Sequence, residues 1–463
     1  MATQKKLTYH VRKTMVLALP IMLSQLSHML IGLSDTFLVG HLGSVPLAGV
    51  ALGNSIFALV LVGALGLTFS LTPLVAKADG EGNETDAVGY LKNAIWLFTL
   101  IGIVAVGLGY AAGYNLDVFQ QKPEVVEQTL IFLGPFMASL LPIMVYQAFK
   151  QFIEGLGYTK PAMIINLSSA VLNIGLAVCF INGYLGFPKL GVYGIGLAGL
   201  IDRTLMMLTM IIYTLSRKEF RKYTSKLSTT KYSWTYALRL LKMGLPISLQ
   251  MVMEIACFAA GGILVGTYGA IPLAAHQVAL SLAAATYMAA SGIGTAASIR
   301  IGNYLGQKNY VELRTAGNVA IWLTIGFMTI TSLLFVIFRN ILPGLFSEDA
   351  QVIEIASGLL IFAAVFQISD GIQACTQGCL RGVQDVNVPT YIVTISYWVL
   401  GIPVGYLLSK ITDWSFYSIW VGLCSGLFFA SLMLVLRFWK ISQFNNLKAK
   451  FQNEDSSSFS VGH

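Results

Sequence analysis

Four acidic residues lie well inside long apolar runs of the sequence, where an ionisable side chain is out of place. They are Asp35, Asp202, Glu254 and Asp370. Glu254 is the only charged residue in the run GLPISLQMVMEIACFAAGGILVG at 244–266. A helix rises about 1.5 Å per residue and the hydrocarbon core is about 30 Å thick, so Glu254 falls near the middle of such a span. Ionisable groups at that depth usually face a bundle interior or a wet cavity.

A buried carboxylate of this kind suits two kinds of ion chemistry, and the sequence leaves both open. Sodium prefers oxygen ligands, and a desolvated carboxylate gains most by neutralising a bound cation. Alternatively, burial disfavours the charged form and makes the group a proton site. Either arrangement also provides a counter-charge for a cationic organic molecule in an aromatic-rich cavity. A protonated, hydrogen-bonded Glu254 with a purely structural role is the remaining interpretation.

Polar side chains near Glu254 and Asp370 predict a coupling-ion site in the second half of the chain. Gln250 lies one helical turn before Glu254. Around Asp370, spacings of three and four residues place four polar side chains on one helical face, namely Gln367, Gln373, Thr376 and Gln377. We therefore expect Glu254 and Asp370 to bind the coupling cation, which is Na⁺ if coupling is to sodium. Substrate-linked or proton-linked roles are expected for Gln250, Gln367 and Gln373.

The first half of the chain offers a matching set of groups. Asp35 lies in the run IGLSDTFLVG, and His28 precedes it by one heptad, on nearly the same helical face. His28 is either a packing residue or a proton-linked one. Asp202, a further candidate, is followed directly by Arg203. Since adjacent residues do not face each other on a helix, each is expected to find a partner elsewhere.

The composition is that of a polytopic membrane protein. Of 463 residues, 56% are hydrophobic and 11% charged, with a mean hydropathy of +0.72, whereas soluble domains carry about 25% charged residues. The net charge of +8 does not indicate nucleic-acid binding, because the basic residues are spread over short segments between apolar runs. The five cysteines lie in apolar runs, so we expect them to be small buried apolar side chains and not to form disulfides. We expect no cofactor and no removable signal peptide.

Twelve apolar segments separated by short polar loops predict twelve transmembrane helices. Their centres fall near residues 25, 59, 101, 140, 171, 203, 255, 285, 326, 366, 398 and 427. With the N-terminus in the cytoplasm, 24 of the 29 Lys and Arg residues fall on the cytoplasmic side, and only Lys122, Lys189, Arg339 and Lys410 on the other. The positive-inside rule therefore predicts that both termini are cytoplasmic. The predicted domains are 1–215, a basic cytoplasmic linker at 216–235, 236–440, and a disordered tail at 441–463.

The two halves of the chain repeat each other. A shift of 226 residues places residues 19–21 on 245–247, 46–48 on 272–274 and 94–97 on 320–323, without a gap. Chance similarity between apolar helices rarely keeps register through two loops, so we infer an all-α membrane protein with two pseudo-symmetric six-helix bundles. Substrate sites in such duplicated transporters lie near the midplane. The repeated Pro20 and Pro246 are candidate hinges, since prolines inside spans often mark kinks.

Several of these segments resemble the multidrug and toxic compound extrusion (MATE) family. They are the LP-x-x-L sequences at 19 and 245, SDTFLVGHLGSVPLAG in the first span, Glu254, Asp370, and CLRGVQDVNVPT at 379–390. The chain is most similar to the bacterial NorM-type branch, because it keeps acidic residues in spans 1, 7 and 10. The resemblance implies that Asp35 matches the acidic residue of span 1. It also implies that Glu254 and Asp370 are the cation-binding residues of spans 7 and 10.

The same resemblance implies an activity. Members export organic cations such as fluoroquinolones, ethidium and other lipophilic dyes, driven by inward flow of Na⁺ or H⁺, through a V-shaped cavity formed by two bundles in the bacterial inner membrane. One departure concerns span 5, where the DinF-like branch has N-x-x-x-D but this chain has Asn173 followed by Ala177. Only Asn173 therefore remains to assist Asp35. A monomer is expected, with the lipid bilayer, small organic cations and the coupling ion as its partners.

Two other functions fit the sequence less well. A lipid-linked oligosaccharide flippase of the same superfamily would favour anions and carry several Arg or Lys residues, whereas Arg203 is the only basic residue counted well inside a span, against four acids. A membrane-embedded enzyme would need clustered catalytic groups, and the five histidines are scattered. The sequence also has no glycine-rich nucleotide-binding loop. It leaves the coupling ion, the substrate and the resting conformation open.

Overall fold

The computed structural model describes residues 2–116 and 122–447, and these parts of the chain contain helices but no β-strand. The tail predicted to be disordered at 441–463 lies outside the described residues from 448 onward. In the first half the helices are α1 (Ala2–Gly40), α2 (Ser44–Thr68), α3 (Leu71–Gly80), α4 (Glu84–Tyr114), α5 (Pro123–Ala138), α6 (Leu140–Gly155), α7 (Lys160–Asn182) and α8 (Val192–Ser216).

The second half continues the same pattern after a short connecting helix. Its helices are α9 (Arg221–Leu227), α10 (Trp234–Gly266), α11 (Ala270–Gly306), α12 (Tyr310–Ile337), α13 (Ala350–Gly382), α14 (Asn387–Ile395), α15 (Ile402–Ile411) and α16 (Tyr417–Ile441). Short 3-10 turns occur at Tyr184–Gly186, Lys218–Phe220 and Leu342–Leu345, and one π-helical turn at Ser396–Gly401 joins α14 to α15.

Twelve helical segments in the described chain are long and apolar enough to cross a membrane. Each contains one of the predicted centres, so the twelve-span fold is confirmed. Spans in corresponding positions of the two halves have similar lengths. The second and eighth spans, Ser44–Gly80 and Ala270–Gly306, each have 37 residues, and the sixth and twelfth, Val192–Ser216 and Tyr417–Ile441, each have 25.

The duplication is also visible in the turns that end and begin helices. Gly43 and Gly269, which are 226 residues apart, precede α2 and α11 with φ angles of 117° and 119°. The Asn83 side chain caps α4 by accepting a hydrogen bond from the backbone N–H of Asp86 at 3.1 Å. Asn309 caps α12 in the same way, through Glu312 at 3.3 Å. The corresponding turns and helix caps of the two halves therefore have the same local structure.

By its internal contacts the chain divides into two compact units, and the division does not follow the predicted linker. One unit, here the N-unit, comprises Leu23–Val252. The other, the C-unit, comprises Met1–Met22 and Met253–His463, as far as these are described. Helices α1 and α10 are thus each shared between the units. Sequence repeats place domain boundaries in the loop between repeats, but a continuous helix can pack its two ends in different units.

The segment predicted as a basic linker is folded within the N-unit. Phe220 and Tyr223 are buried there, and the Tyr223 hydroxyl donates a 2.8 Å hydrogen bond to Asp79 at the end of α3. Burial, together with this bond, raises the pKa of the Tyr223 phenol above its ordinary value. Lys226 pairs with Glu84 at 2.7 Å. The phenol therefore remains a hydrogen-bond donor, and these contacts tie the connection to α3 and α4.

Close packing within the C-unit positions the polar face of α13. A Cβ atom on Gly294 of α11 would lie 2.7 Å from the carbonyl oxygen of Ala374 in α13, closer than real Cβ contacts. Gly378, one turn further along α13, faces Gly294. Only glycine allows this approach, since small residues let helix backbones come together in membranes. The contact holds α13 with its stripe of polar residues inside the unit.

Candidate functional site

Glu254 of α10 is buried in the C-unit, with 7% of its surface exposed. The Gln373 side chain of α13 donates a hydrogen bond from Nε2 to Glu254 Oε1 at 3.1 Å. A hydrogen-bond donor beside a carboxyl oxygen stabilises the ionised form of that group. Glu254 is thus turned to a polar neighbour inside its unit and not to lipid.

Asp370 shares α13 with Gln373 and is also buried, with 5% exposed. It lies close enough to Glu254 for the two carboxyl groups to interact electrostatically. The predicted polar stripe is on the inward side of α13, because all its members are buried, namely Gln367, Asp370, Gln373, Thr376 and Gln377. Gln367 accepts a 3.0 Å hydrogen bond from the hydroxyl of Thr286 in α11. The two carboxyl groups supply oxygen atoms of the kind that Na⁺ prefers as ligands.

Sequence reasoning missed three residues that surround this pair. Tyr397 is fully buried, and its hydroxyl lies 2.9 Å from Nε2 and 3.1 Å from Oε1 of Gln373. Tyr287 of α11 lies within electrostatic range of both acids, and Arg381, near the end of α13, lies within electrostatic range of Glu254. The distribution of Lys and Arg places Arg381 on the cytoplasmic side, yet it is only eight residues, or about two turns, from Gln373 on the same helix.

Two of the predicted residues of the first half, Asp35 and Asn173, are buried in the N-unit. Asp35 Oδ1 and Asn173 Oδ1 each have no hydrogen-bond partner within residues 2–116 and 122–447. Buried polar atoms are normally satisfied, so such acceptors indicate a place for a water molecule, a proton or a cation. The two halves therefore differ, because Glu254 has a protein donor and Asp35 Oδ1 has none in that part of the chain.

Asp202 and Arg203 do find separate partners, as the sequence predicts. Ser169 donates a 2.7 Å hydrogen bond to Asp202 Oδ2. The Arg203 guanidinium donates to the Ser139 hydroxyl at the break between α5 and α6, and it lies 4.5 Å from the ring centroids of both Phe57 and Phe136. Arg203 thus has two aromatic faces and a hydroxyl as its neighbours.

The remaining candidates are placed as follows. His28 is half-buried, and its charged neighbours are the basic groups of Lys150 and Arg203. Gln250 is buried, but it belongs to the N-unit whereas Glu254 belongs to the C-unit. Pro20 and Pro246 lie inside α1 and α10 without ending either helix. The boundary between units follows Pro20 by two residues and Pro246 by six.

Two basic residues near the ends of spans are buried, which the sequence did not indicate. Lys150 and Arg300 are buried within membrane-spanning segments, whereas Arg203 is half-buried. Lys150 lies 3.9 Å from Glu154 one turn along α6. Arg300 donates to the Thr14 hydroxyl at 2.6 Å and to the imidazole of His10 at 2.6 Å. They were missed because both lie within two turns of a helix end, where a basic residue normally reaches the headgroups.

Side chains that commonly bind metals do not form clusters in the part of the chain that the structure describes. Within residues 2–116 and 122–447, no group of three or more His, Cys, Asp or Glu residues could hold a metal ion. All five cysteines are free thiols. A metal cation at Glu254 and Asp370 would therefore take its further ligands from amide, hydroxyl or water oxygens.

Comparison with known proteins extends over both halves. The MatE family model matches residues 20–179 and 246–407. The chain is 31% identical to the probable multidrug resistance protein NorM of Bacillus licheniformis, over 95% of this chain and 98% of that one. It is also 31% identical to the multidrug resistance protein NorM of Photobacterium profundum, over 92% and 94% of the two chains.

Solved structures share the same fold. A eukaryotic MATE transporter superimposes with a TM-score of 0.87 at 20% identity, covering 97% of this chain and 99% of that one. A MATE transporter of Vibrio cholerae gives 0.87 at 18% identity, covering 96% and 99%. A MOP superfamily transporter of Pyrococcus furiosus, described as having a binding pocket of reverse polarity, gives 0.86 at 21% identity, covering 95% and 97%.

Twelve spans, two matched halves and acids buried inside each half define a multi-pass membrane transporter, not an enzyme. The chain belongs to the MatE family of multidrug efflux transporters.

Proposed function

We propose that this protein is a secondary antiporter that exports organic cations, such as fluoroquinolones and lipophilic dyes, in exchange for Na⁺ or H⁺ by alternating access. The observation that carries the proposal is the pair of buried carboxyl groups, Glu254 and Asp370: Gln373, the hydrogen-bond partner of Glu254, lies one helical turn after Asp370 in α13. Two such groups cannot both stay ionised and uncompensated in an apolar interior. An entering cation or proton relieves that repulsion, which is how ion entry can drive a conformational change.

The donor from Gln373 gives this pair its asymmetry. Since Gln373 Nε2 donates to Glu254 Oε1 at 3.1 Å, the hydrogen bond from this amide reaches Glu254 and not Asp370. We assign the coupling cation to these two residues, with Gln367 as a neighbouring oxygen donor and Gln373 as the amide that donates a hydrogen bond to Glu254. The lack of a protein donor at Asp35 Oδ1 supports a second, substrate-linked or proton-linked role for Asp35 and Asn173 in the N-unit.

The prolines support a conformational role for the two helices that are shared between units. Proline removes a backbone hydrogen bond from a helix interior and weakens it locally. Pro20 and Pro246 each precede the point at which their helix passes from one unit to the other. We infer that α1 and α10 bend near these prolines when the transporter changes its access state.

The flippase of the same superfamily is the second candidate, and the partners of three basic residues inside the spans argue against it. Lys150 lies beside Glu154, Arg300 is bonded to His10 and Thr14, and Arg203 is bonded to Ser139. A cavity for an anionic lipid-linked sugar requires basic groups directed at the substrate. The buried acids Asp35, Glu254 and Asp370 favour a cation instead.

We further infer that the protein resides in the bacterial inner membrane as a monomer, with both termini in the cytoplasm. The bacterial relatives and the distribution of Lys and Arg support that placement. The lipid bilayer, small organic cations and the coupling ion are then its only required partners.

The test of the proposal is gradient-driven export from reconstituted vesicles. Dye efflux is measured under an imposed Na⁺ gradient at clamped pH, and separately under a proton gradient without Na⁺. We expect Glu254→Gln and Asp370→Asn each to reduce ion-driven export at least about 100-fold. The reason is that each variant lacks a carboxyl group required for coupling, and the loss of its interaction with the ion corresponds to several kcal/mol. Glu354→Gln, which changes an exposed carboxylate of α13, should export at the wild-type rate. Wild-type export by both site variants would disprove the assignment.

A further inference from the structure

The connection between the sixth and seventh spans carries five basic residues within ten positions. It begins directly after the span Val192–Ser216 and comprises the 3-10 turn Lys218–Phe220 and helix α9, Arg221–Leu227. The basic residues are Arg217, Lys218, Arg221, Lys222 and Lys226, and Glu219 is the acidic residue among them. Basic residues this close to the end of a span lie near the headgroups of the bilayer.

An aromatic cluster holds the inner side of this connection against the N-unit. Phe220 and Tyr223 are buried. The centroid of the Phe220 ring lies 5.0 Å from that of Tyr158, which follows α6, and 6.0 Å from that of Tyr213 in α8. The Tyr223 ring lies 5.7 Å from that of Phe152 in α6. Because one side of the connection is packed in this way, its other side is fixed as an outer surface.

Two of the five basic residues are neutralised within the protein, and three are not. Lys222 and Lys226 lie 3.8 and 2.7 Å from the carboxylate oxygens of Glu84. The other three, here called the basic face, are exposed and have no acidic partner within 4 Å in residues 2–116 and 122–447, namely Arg217, Lys218 and Arg221. Since Glu219 is exposed as well, three positive charges and one negative charge leave this outer surface with a net charge of +2.

Exposed aromatic residues at the ends of neighbouring helices indicate the level of the lipid headgroups. Tyr158 is 43% exposed, although its ring contacts that of Phe220. Trp234, with which α10 begins, is 64% exposed. Tyr and Trp are enriched where a bilayer meets water, because their rings are apolar and carry one polar group. The basic face therefore lies near the phosphate groups of the lipids.

The chemistry of the basic face suits a phosphodiester with a net negative charge. An Arg guanidinium can donate two parallel hydrogen bonds to a phosphate group, and a Lys ammonium adds a point charge. The ammonium group of a zwitterionic headgroup would be repelled by a surface of net charge +2. Phosphatidylglycerol has no such group, so its headgroup fits this surface better than that of phosphatidylcholine.

We propose that the basic face is a docking surface for anionic phospholipid headgroups, such as that of phosphatidylglycerol, at the end of the sixth span. A lipid bound there stabilises the N-unit where α6, α8 and the connection meet. The inference does not depend on the coupling ion, because Glu254 and Asp370 belong to the C-unit. It gives the connection a role beyond joining the two repeats.

The test is native mass spectrometry of the purified full-length protein in detergent, with phosphatidylglycerol or phosphatidylcholine added in increasing amounts. We expect the wild type to retain phosphatidylglycerol at lower concentrations than phosphatidylcholine. The triple variant Arg217→Gln, Lys218→Gln, Arg221→Gln should bind phosphatidylglycerol at least about 10-fold more weakly, since each charge near the bilayer surface contributes about 5-fold. Its binding of phosphatidylcholine should stay within about 2-fold of wild type.

The matched control removes the same charge from three scattered, exposed positions, namely Lys242→Gln, Arg314→Gln and Lys440→Gln. It should retain phosphatidylglycerol within about 2-fold of wild type. A melting temperature within about 2 °C of wild type in lipid-free detergent shows that each variant is folded. If the triple variant does not fold, Arg221→Gln alone is compared with Arg314→Gln, and we expect a loss of about 5-fold for Arg221→Gln only.

Salt and competition experiments separate a lipid from other anions. Raising NaCl from about 0.05 to about 0.5 M should weaken phosphatidylglycerol binding to the wild type and not to the triple variant, because exposed charges are screened. Equal phosphatidylglycerol binding by the wild type and the triple variant would overturn the proposal, and so would an equal loss in the control. Displacement of the lipid by inorganic phosphate at the same concentration would also overturn it, because the basic face would then bind a free anion.

Discussion

Asp35 and Glu254 are buried carboxyl groups of the two halves, but their neighbours differ. Glu254 Oε1 accepts a hydrogen bond from Gln373, while Asp35 Oδ1 has no hydrogen-bond partner within residues 2–116 and 122–447. Replacing a carboxylate without protein donors removes charge but breaks few native contacts. Replacing Asp35 should therefore change transport with little effect on stability, whereas replacing Glu254 also removes a native hydrogen bond.

We predict that Asp35→Asn reduces dye export at least about 10-fold while the melting temperature in detergent stays within about 2 °C of wild type. The reason is that the amide keeps the shape of the side chain and removes only its charge. Transport in vesicles and thermal unfolding check the two parts. Asp413→Asn, at an exposed loop position, is the matched control. Full export by Asp35→Asn would reduce Asp35 to a structural residue.

The buried pair Lys150 and Glu154 yields a stability prediction. Its atoms Nζ and Oε1 are 3.9 Å apart, and both side chains are almost fully buried. Removing one partner leaves an uncompensated charge, so Lys150→Met or Glu154→Gln should each cost about 3–5 kcal/mol of unfolding free energy. The double variant should recover most of that loss. Denaturation in detergent measures all three, and a double variant as unstable as the sum of both singles would contradict the pairing.

At this scale the sequence predicted which residues are buried better than which residues touch. Glu254, Asp370 and Gln373 could be predicted because their positions in long apolar runs force them inward. Tyr397 could not, since its contact with Gln373 depends on the π turn and on the packing of α13. One local sign of the turn was present in the sequence, Pro403 inside an apolar run.

Among the helices, α1 shows how a single element serves two units. Its residues 2–22 belong to the C-unit, and the cluster around His10 attaches them there. The His10 ring lies between Arg300 of α11, at 2.6 Å from Nδ1, and Glu312 of α12, at 2.7 Å from Nε2. Lys6 also pairs with Glu312, at 2.5 Å. These bonds connect the start of α1 to two helices that are distant in sequence.

We predict that Arg300→Met loosens the start of α1 without unfolding the protein. Arg300 donates to both the carbonyl and the ring of His10 and to Thr14, and losing these bonds leaves buried acceptors unsatisfied. Amide hydrogen exchange in residues 6–20 should become about 10-fold faster, while α16 stays protected. Arg314→Met, at an exposed site on α12, is the control. Unchanged exchange in residues 6–20 would show that the cluster does not hold the helix.

For the whole molecule, the number of spans and the duplication could be read from the sequence. Apolar periodicity and loop composition determine both, and these are local properties. The division into units could not be read, because it depends on which neighbours each end of α1 and α10 packs against. A sequence repeat shows where each copy begins. Because α1 and α10 each contribute to both units, the boundaries of the packed units differ from the boundaries of the copies.

The predicted orientation is tested by thiol labelling in intact cells. Lys308→Cys lies on the side predicted to be cytoplasmic and Lys410→Cys on the opposite side. We expect a membrane-impermeant maleimide added outside to label Lys410→Cys and to miss Lys308→Cys until the membrane is permeabilised. The parent chain, whose five cysteines are buried or half-buried, gives the background. The reverse labelling pattern would invert the topology.

The attachment of His10 to Arg300 also sets the order in which the protein can be made. The two residues are 290 positions apart, and translation at about 5–20 residues per second separates their synthesis by about 15–60 s. Throughout that interval the first transmembrane segment of the nascent chain lacks the side chains that form hydrogen bonds with it in the folded protein. Helices α11 and α12 must be synthesised before the first turns of α1 can form their contacts. The C-unit is therefore completed late in biogenesis, although its first segment is inserted first.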